Sequence, residues 1–282
     1  MKTYYECMPC FVNQALTAMQ NIPEEDKESL LREVFKRIAK IDFSLSPPEM
    51  ARDIFDIIEV YLPDNDFYFD IKKKSNRYIL NLEDDLRMKI TEASDPFMIG
   101  LHLAIAGNII DFGAKNDFSD QCIHAEIKEA LEIKLDKTLT DRFQKEIMNA
   151  DKILYLGDNA GEIIFDKLFI EQLPLDKITF VVRGSAIIND ALMADAEMVG
   201  MTELVKVVSN GDNIPGTVLH RCSNEFKTLF EESDLIISKG QGNYETLSGI
   251  DKNICFLLKA KCPVIAKDLN RKVGDFIIKF ST

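Results

Sequence analysis

With 282 residues, 46% of them hydrophobic, the chain can bury a sizeable core in one large domain or two modest ones. Its 47 acidic against 34 basic residues leave a net charge of −13, which repels phosphate backbones and argues against a nucleic-acid partner. No apolar run reaches membrane-spanning length, and the opening MKTYYECMPCF lacks the apolar stretch and small-residue cleavage site of a signal peptide; a cytoplasmic protein without a membrane partner is expected.

In chain order, Cys7-Met8-Pro9-Cys10 is the one close pair among six cysteines. It reads as half a zinc site, a redox couple or an incidental pair; a second CxxC is missing, and His102, His124 and His220 are the only histidines. His102 and His124 read as ordinary helix residues.

From residue 6 to about 150, apolar positions recur at three and four, as in Leu30, Leu31, Val34, Phe35 and Ile38, so this half is expected to be helical. Pro23 opens one helix and Ser46-Pro47-Pro48-Glu49 another, which Leu62-Pro63-Asp64-Asn65 ends. Lys72-Lys73-Lys74 is placed in the next connection as a solvated run.

Past residue 150 the pattern changes to short apolar runs: 153–156, 178–182, 204–208, 235–237, and a final pair near 254–258 and 264–266. Helical stretches separate most of them. Strands alternating with helices imply right-handed crossovers, so the expected fold is α/β: a three-layer α/β/α Rossmann-like domain with a mainly parallel sheet, plus an all-helical N-terminal domain. The boundaries expected are 1–148 for a helical cap domain and 149–282 for the α/β metal-binding catalytic domain.

Ligands of open α/β sheets bind outside the carboxyl ends of the strands. Those ends carry Gly157-Asp158-Asn159-Ala160-Gly161-Glu162, Arg183-Gly184-Ser185 leading to Asn189-Asp190, Ser209 to Asn213, Ser238-Lys239-Gly240-Gln241-Gly242-Asn243, and Lys259 with Lys261. Asp158, Asn159 and Asp190 offer two carboxylates and an amide carbonyl, a hard-oxygen set that suits magnesium or manganese better than zinc or copper. Gly161 permits close approach before a helix whose N–H groups would face an anion, Lys239 and Lys259 are candidate phosphate cations, and Gly240 and Gly242 let the backbone near a ligand. Plainer readings stand beside these: Asp158 as cap of a helix over 162–172, Asn189-Asp190 as a second cap, and 238–242 as a turn. GDNAGE is not GxGxxG, and neither a nucleophile elbow nor a GxxxxGK[ST] loop is present.

With these motifs, together with Ala106-Gly107-Asn108-Ile109-Ile110-Asp111, Tyr244-Glu245 and Ala260-Lys261-Cys262, the sequence resembles the metal-dependent damage-control phosphatases in their short prokaryotic branch, also labelled acidic-residue methyltransferase-like. The resemblance spans nearly the whole chain. It implies a divalent ion (magnesium, manganese, cobalt or nickel) on Asp158, Asn159 and Asp190, with Asp195 as a competing ligand. It further implies a Lys-Gly-x-x-Asn segment on Lys239, Gly240 and Asn243, and a phosphate-binding lysine at Lys259, where Phe256 and Leu257 replace the Arg and Thr of relatives. Gly107-Asn108 and Asp111 would close over the site, placing Asn108 on the substrate. The activity implied is hydrolysis of small phosphorylated metabolites, such as sugar phosphates or cofactor-related phosphoesters, with Asp158, Glu162 and Lys239 catalytic and Glu162 orienting water. Attack by Asp158 itself is the other route. Two rival readings are an S-adenosylmethionine-dependent carboxyl methyltransferase and a phosphometabolite-binding protein without turnover; self-association as a homo-oligomer is compatible with all three.

Overall fold

The computed structural model describes residues 1–62, 66, 68–107 and 120–281, with the backbone alone at 120–124 and 126. Asn108 and Asp111 lie outside the described residues. The N-terminal half carries α1 (Met8–Ala18), α2 (Glu24–Ile38), α3 (Pro47–Tyr61), α4 (Phe69–Leu80), α5 (Glu83–Thr91), α6 (Pro96–Gly107), α7 (Asp120–Glu132) and α8 (Lys137–Asn149). Starts follow their sequence signals: Pro23 is the N-cap of α2, and Ser46 with Glu49 forms a capping box at α3, Ser46 N–H donating to Glu49 Oε2 at 2.9 Å.

The second half alternates β1 (Ile153–Leu156), α9 (Glu162–Ile170), β2 (Ile178–Val182), α10 (Met193–Met198), α11 (Met201–Leu204), β3 (Lys206–Ser209), α12 (Asn224–Glu232), β4 (Leu235–Lys239), α13 (Gln241–Leu247), β5 (Ile254–Lys259), α14 (Pro263–Asp268) and β6 (Phe276–Phe280). The six strands lie in the order β3-β2-β1-β4-β5-β6, parallel except for β6, which runs antiparallel to β5. This is the mainly parallel α/β sheet expected. Val264 to Ala266, expected as a strand, lies instead in α14, and the last strand is β6; Pro263 at the first helical turn marks the difference, since a short apolar run by itself does not separate strand from helix.

One face of the sheet packs against α6, α8 and α9 through Leu101, Phe143, Ile163, Phe165 and Phe169, and the other against α12 to α14 through Phe226, Phe230, Tyr244 and Ile265. The first of these clusters takes in Ile79, Leu86 and Ile90, so helices from before residue 148 and strands after it share one core. Helices α1 to α3 form a third cluster around Phe11, Leu30, Ile54 and Ile58, which reaches the second half at Ile187. The lysine run is not a connection: it lies within α4, where Lys72 is 3% exposed and pairs with Asp66 at 2.6 Å.

Four rings tie α6, α8, α9 and β6 together, with Phe97 to Phe169 at 5.4 Å and Phe143 to Phe280 at 6.4 Å between centroids. Phe169 is fully buried among them, against Phe97 and Phe143, so Phe169→Ala is expected to lower stability by about 3–5 kcal/mol, read from the midpoint of urea unfolding.

Candidate functional site

The strand order reverses between β1 and β4, the switch point where loops diverge to opposite faces and leave a crevice. The loop after β1 is anchored across that crevice. Gly157 N–H donates to Val181 O at 3.0 Å, Ala160 N–H to Asn189 O at 2.9 Å, and Ala191 N–H to Asp158 O at 2.8 Å, while Asn159 and Asp190 form an antiparallel bridge. Two loops 30 residues apart in sequence thereby bring Asp158, Asn159 and Asp190 together. The turn that presents Asp190 is strained: Ile188 has φ of +42°, a conformation that β-branched residues rarely adopt.

Asp158 is not a helix cap. Gly161 occupies the N-cap of α9, and its N–H donates to Asn76 Oδ1 at 2.7 Å, so this donor is already committed rather than offered to an anion. Asp158 instead lies against Gly240. A Cβ there would fall 2.0 Å from Asp158 Oδ2, and Gly240 has φ of +77°, so both space and conformation require glycine.

A cavity of about 410 Å³ opens over these loops, lined by Asp158, Asn159, Asp190 and Lys261 on the sheet side and by Cys7, Cys10, Phe11 and Gln14 of the N-terminal helices on the other. Burial together with Glu162 and Asp190 pushes the Asp158 carboxyl up to about 8, against the pull of Lys261 and Arg183. Burial also raises Asp190, opposed by Arg183, whose Nε donates to Asp190 Oδ2 at 2.6 Å. Asn159 Nδ2 donates to Asp158 Oδ2 at 2.8 Å and to Glu162 Oε2 at 3.1 Å, which turns its carbonyl oxygen away from both acids. Two crowded carboxylates and an amide oxygen are the donor chemistry of a hard divalent cation, and such an ion would relieve the repulsion that raises Asp158. No three Cys, His, Asp or Glu side chains gather as a metal-ligating group among the described residues.

Several sequence candidates lie behind this surface. Lys239 is 0% exposed and does not line the cavity: its Nζ donates to Glu162 Oε1 at 2.6 Å and Asp166 Oδ1 at 2.5 Å, so it is no phosphate ligand here. Burial pulls its pKa down, but the two carboxylates outweigh that and raise it. Glu162 is thus held between Lys239 and Asn159. Asn243, also fully buried, donates to Lys239 O at 2.8 Å and accepts from Arg183 Nη2 at 3.1 Å and Thr217 Oγ1 at 2.8 Å. Lys259 ends β5 opposite Phe276 and is not a cavity residue; Lys261 lines the cavity in its place. Phe256 and Leu257 are fully buried in β5. Asp195 caps α10, accepting from Leu192 N–H, and also accepts from Asn76 Nδ2 at 2.8 Å; it does not line the cavity.

Residues without an assigned role in the sequence also matter. Arg183 orients Asp190, and Asp166 accepts from Tyr155 Oη at 2.7 Å beside Lys239. A buried acid four residues after Glu162, on one helix face, was the available signal for Asp166. Cys7, Cys10 and Cys262 gather at one end of the cavity, where burial raises the thiols of Cys7 and Cys10, so neither is an activated thiolate. His102 is a core residue, its ring nitrogens on Met98 O and Ile133 O.

The family model described as the damage-control phosphatase ARMT1-like domain matches residues 3–277. A damage-control phosphatase of Pyrococcus horikoshii is 34% identical over 286 residues, 98% of this chain and 97% of its own length. A damage-control phosphatase of Archaeoglobus fulgidus is 33% identical over 239 residues, 81% of this chain and 79% of its own, and an uncharacterized protein of Methanocaldococcus jannaschii is 37% identical over 289 residues, 97% and 93%. The crystal structure of a DUF89 family protein from Pyrococcus horikoshii matches with a TM-score of 0.89 at 32% identity, covering 100% of both chains.

Gly240→Ala is expected to cost about 1–3 kcal/mol from its backbone conformation alone and to push Asp158 out of place, so thermal stability falls and divalent ions no longer raise it. Glu245, at the cysteine end of the cavity, is lifted from 4.5 to about 7 by burial, against the pull of Gln241 and the chain's amino terminus. Its contribution to stability is complete below pH 4.5 and is lost as pH rises through 7, so urea unfolding of Glu245→Gln should lack the decline that the parent protein shows over that interval.

Proposed function

From the premise that the chain belongs to the ARMT1-like damage-control phosphatase family, we propose that it hydrolyses small phosphomonoesters with a divalent cation held by Asp158, Asn159 and Asp190. The observation that supports this reading is the bridge between the loops at 158–160 and 189–191, which brings Asp158, Asn159 and Asp190 onto one cavity at the switch point, where Lys261 is a further lining residue. The bound cation would polarise the phosphoryl group and lower the pKa of a nearby water. Magnesium and manganese suit the donors best; cobalt and nickel complete the panel.

The chain's own residues divide the remaining work. Lys261 meets the phosphoryl oxygens from the cavity wall and neutralises charge that grows there in the transition state. Arg183 holds Asp190 by one oxygen and leaves the other for the cation. Lys239 acts through Glu162, which fixes the Asn159 amide so that its carbonyl, not its nitrogen, faces the cation. Asp158 is assigned to the cation, with its Oδ2 held by Asn159, so water rather than Asp158 attacks. A methyl-transfer reading needs a glycine turn open to a cofactor, but here a Cβ at Gly157 would fall 2.6 Å from Phe180 and the loop is closed by its bridge to 189–191.

The first test is phosphate release from a panel of phosphomonoesters with magnesium, manganese, cobalt, nickel or chelator. Release is expected only with metal and is lost in Asp190→Ala; equal release in chelator would overturn the metal assignment. Acid quenching during turnover should leave no phosphate on Asp158. Glu162→Gln is expected to weaken metal affinity by about 10- to 100-fold, with KM for the ester little changed once metal saturates.

A further inference from the structure

We infer that the substrate of this site is a phosphomonoester that also carries an ammonium group, an inference that rests on the phosphatase reading above. The described lining of the cavity offers one cation and several acceptors. Among its described lining residues Lys261 is the only cation, and it stands with Asp158 and Asp190 where the phosphoryl group would be held. Arg183, Lys239 and Lys72, the cations packed behind that wall, are each already bound to a carboxylate, at 2.6, 2.6 and 2.6 Å from Asp190, Glu162 and Asp66. A second phosphate or a carboxylate on the substrate therefore has no described cation to meet it.

The acceptors of the lining ask for donors. Gln14 lines the cavity, and its Oε1 is buried without a hydrogen-bond partner among the described residues. Glu245, 8% exposed, accepts from Gln241 Nε2 on Oε1 at 2.9 Å, and its Oε2 receives no hydrogen bond among the described residues. Glu6 adds a second carboxylate, and the rings of Phe11 and Tyr68 line the same cavity. The chain's amino terminus acts on the Glu245 carboxyl through its charge, but its hydrogen bond goes to the Glu245 backbone carbonyl. A buried acceptor without a donor costs about 1–3 kcal/mol, and an ammonium, with three donors and no acceptor, is the group that satisfies an amide oxygen and a carboxylate together. Aromatic faces favour the same charge. A hydroxyl supplies one donor only, and a carboxylate supplies none. The volume of about 410 Å³ admits a hexose-sized ester.

The test uses the full chain with any tag at its C-terminus and metal present. Glucosamine 6-phosphate, glucose 6-phosphate and 6-phosphogluconate are compared by kcat/KM, with para-nitrophenyl phosphate as the generic ester. Glucosamine 6-phosphate is expected to exceed glucose 6-phosphate about tenfold, the worth of one charge-assisted hydrogen bond, and 6-phosphogluconate to fall below both. The ratio of amino to hydroxyl substrate should drop toward one in Glu245→Gln and also in Gln14→Leu, the second variant serving if the first fails to fold. Turnover of para-nitrophenyl phosphate with a ratio at or below one in the parent protein, or a ratio unchanged in a folded variant, overturns the ammonium site and leaves the phosphatase standing. No turnover of any ester with any metal overturns the phosphatase reading and this inference with it.

Discussion

Lys239, Glu162, Asp166, Arg183 and Asp190 all lie at 3% exposure or less beneath the carboxyl edge of the sheet, and each dehydrated charge of this kind costs several kcal/mol unless an opposite charge meets it at short range. The local architecture follows from meeting that cost. β4 must end in a lysine directly beside β1, because only there can one ammonium reach two acids on α9. Arg183 must leave β2 pointing inward, because Asp190 returns over it. Asn243, with no charge, closes the gap between the two groups by bonding the Lys239 carbonyl and the Arg183 guanidinium. The result is a rigid ionic floor on which Asp158 and Asn159 rest.

That floor leaves the surface above it with a charge deficit. Cations consumed in the interior are unavailable to the cavity, so Asp158 and Asp190 face it together and Asp158 is pushed up to about 8. The divalent ion proposed above would relieve the conflict that the protein's own side chains create. The N-terminal helices then do more than cover the opening. Through Gln14 and Phe11 of α1 they line the same cavity as Asp158, Asn159 and Asp190, and Ile187 roots the strained 187–190 turn in their core.

Much of this was legible beforehand, for reasons specific to each residue. Asp158-Asn159 and Asp190 stood out because an acid at the end of a buried strand is costly without compensation, and strand ends are visible as the points where apolar runs stop. The period change near residue 150 marked the shift from helices to sheet correctly. Lys239 and Lys259 were misleading. A lysine after an apolar run looks like a solvent-facing cation, and nothing local says that two acids on another helix will enclose the first, or that the second will sit inside a strand ladder opposite Phe276. Lys72 deceived in the same way, since a run of three lysines looks solvated until Asp66 and Asp195 are found beside it. The short run at 264–266 was ambiguous by length alone.

The sequence by itself determined the class of fold, the edge of the sheet where chemistry is sought and the hard-oxygen side chains that stand on that edge. These follow from periodicity and residue type, which are local properties of the chain. Only the tertiary structure decided which charges are spent inside and which face the cavity. It paired Lys239 with Glu162 and Asp166 across 77 and 73 residues, set Asn76 on the Gly161 amide across 85, and put Lys261 rather than Lys259 on the cavity wall. Pair energies of that kind depend on distance in space and on dehydration, and neither quantity exists until the helices and the sheet have packed together.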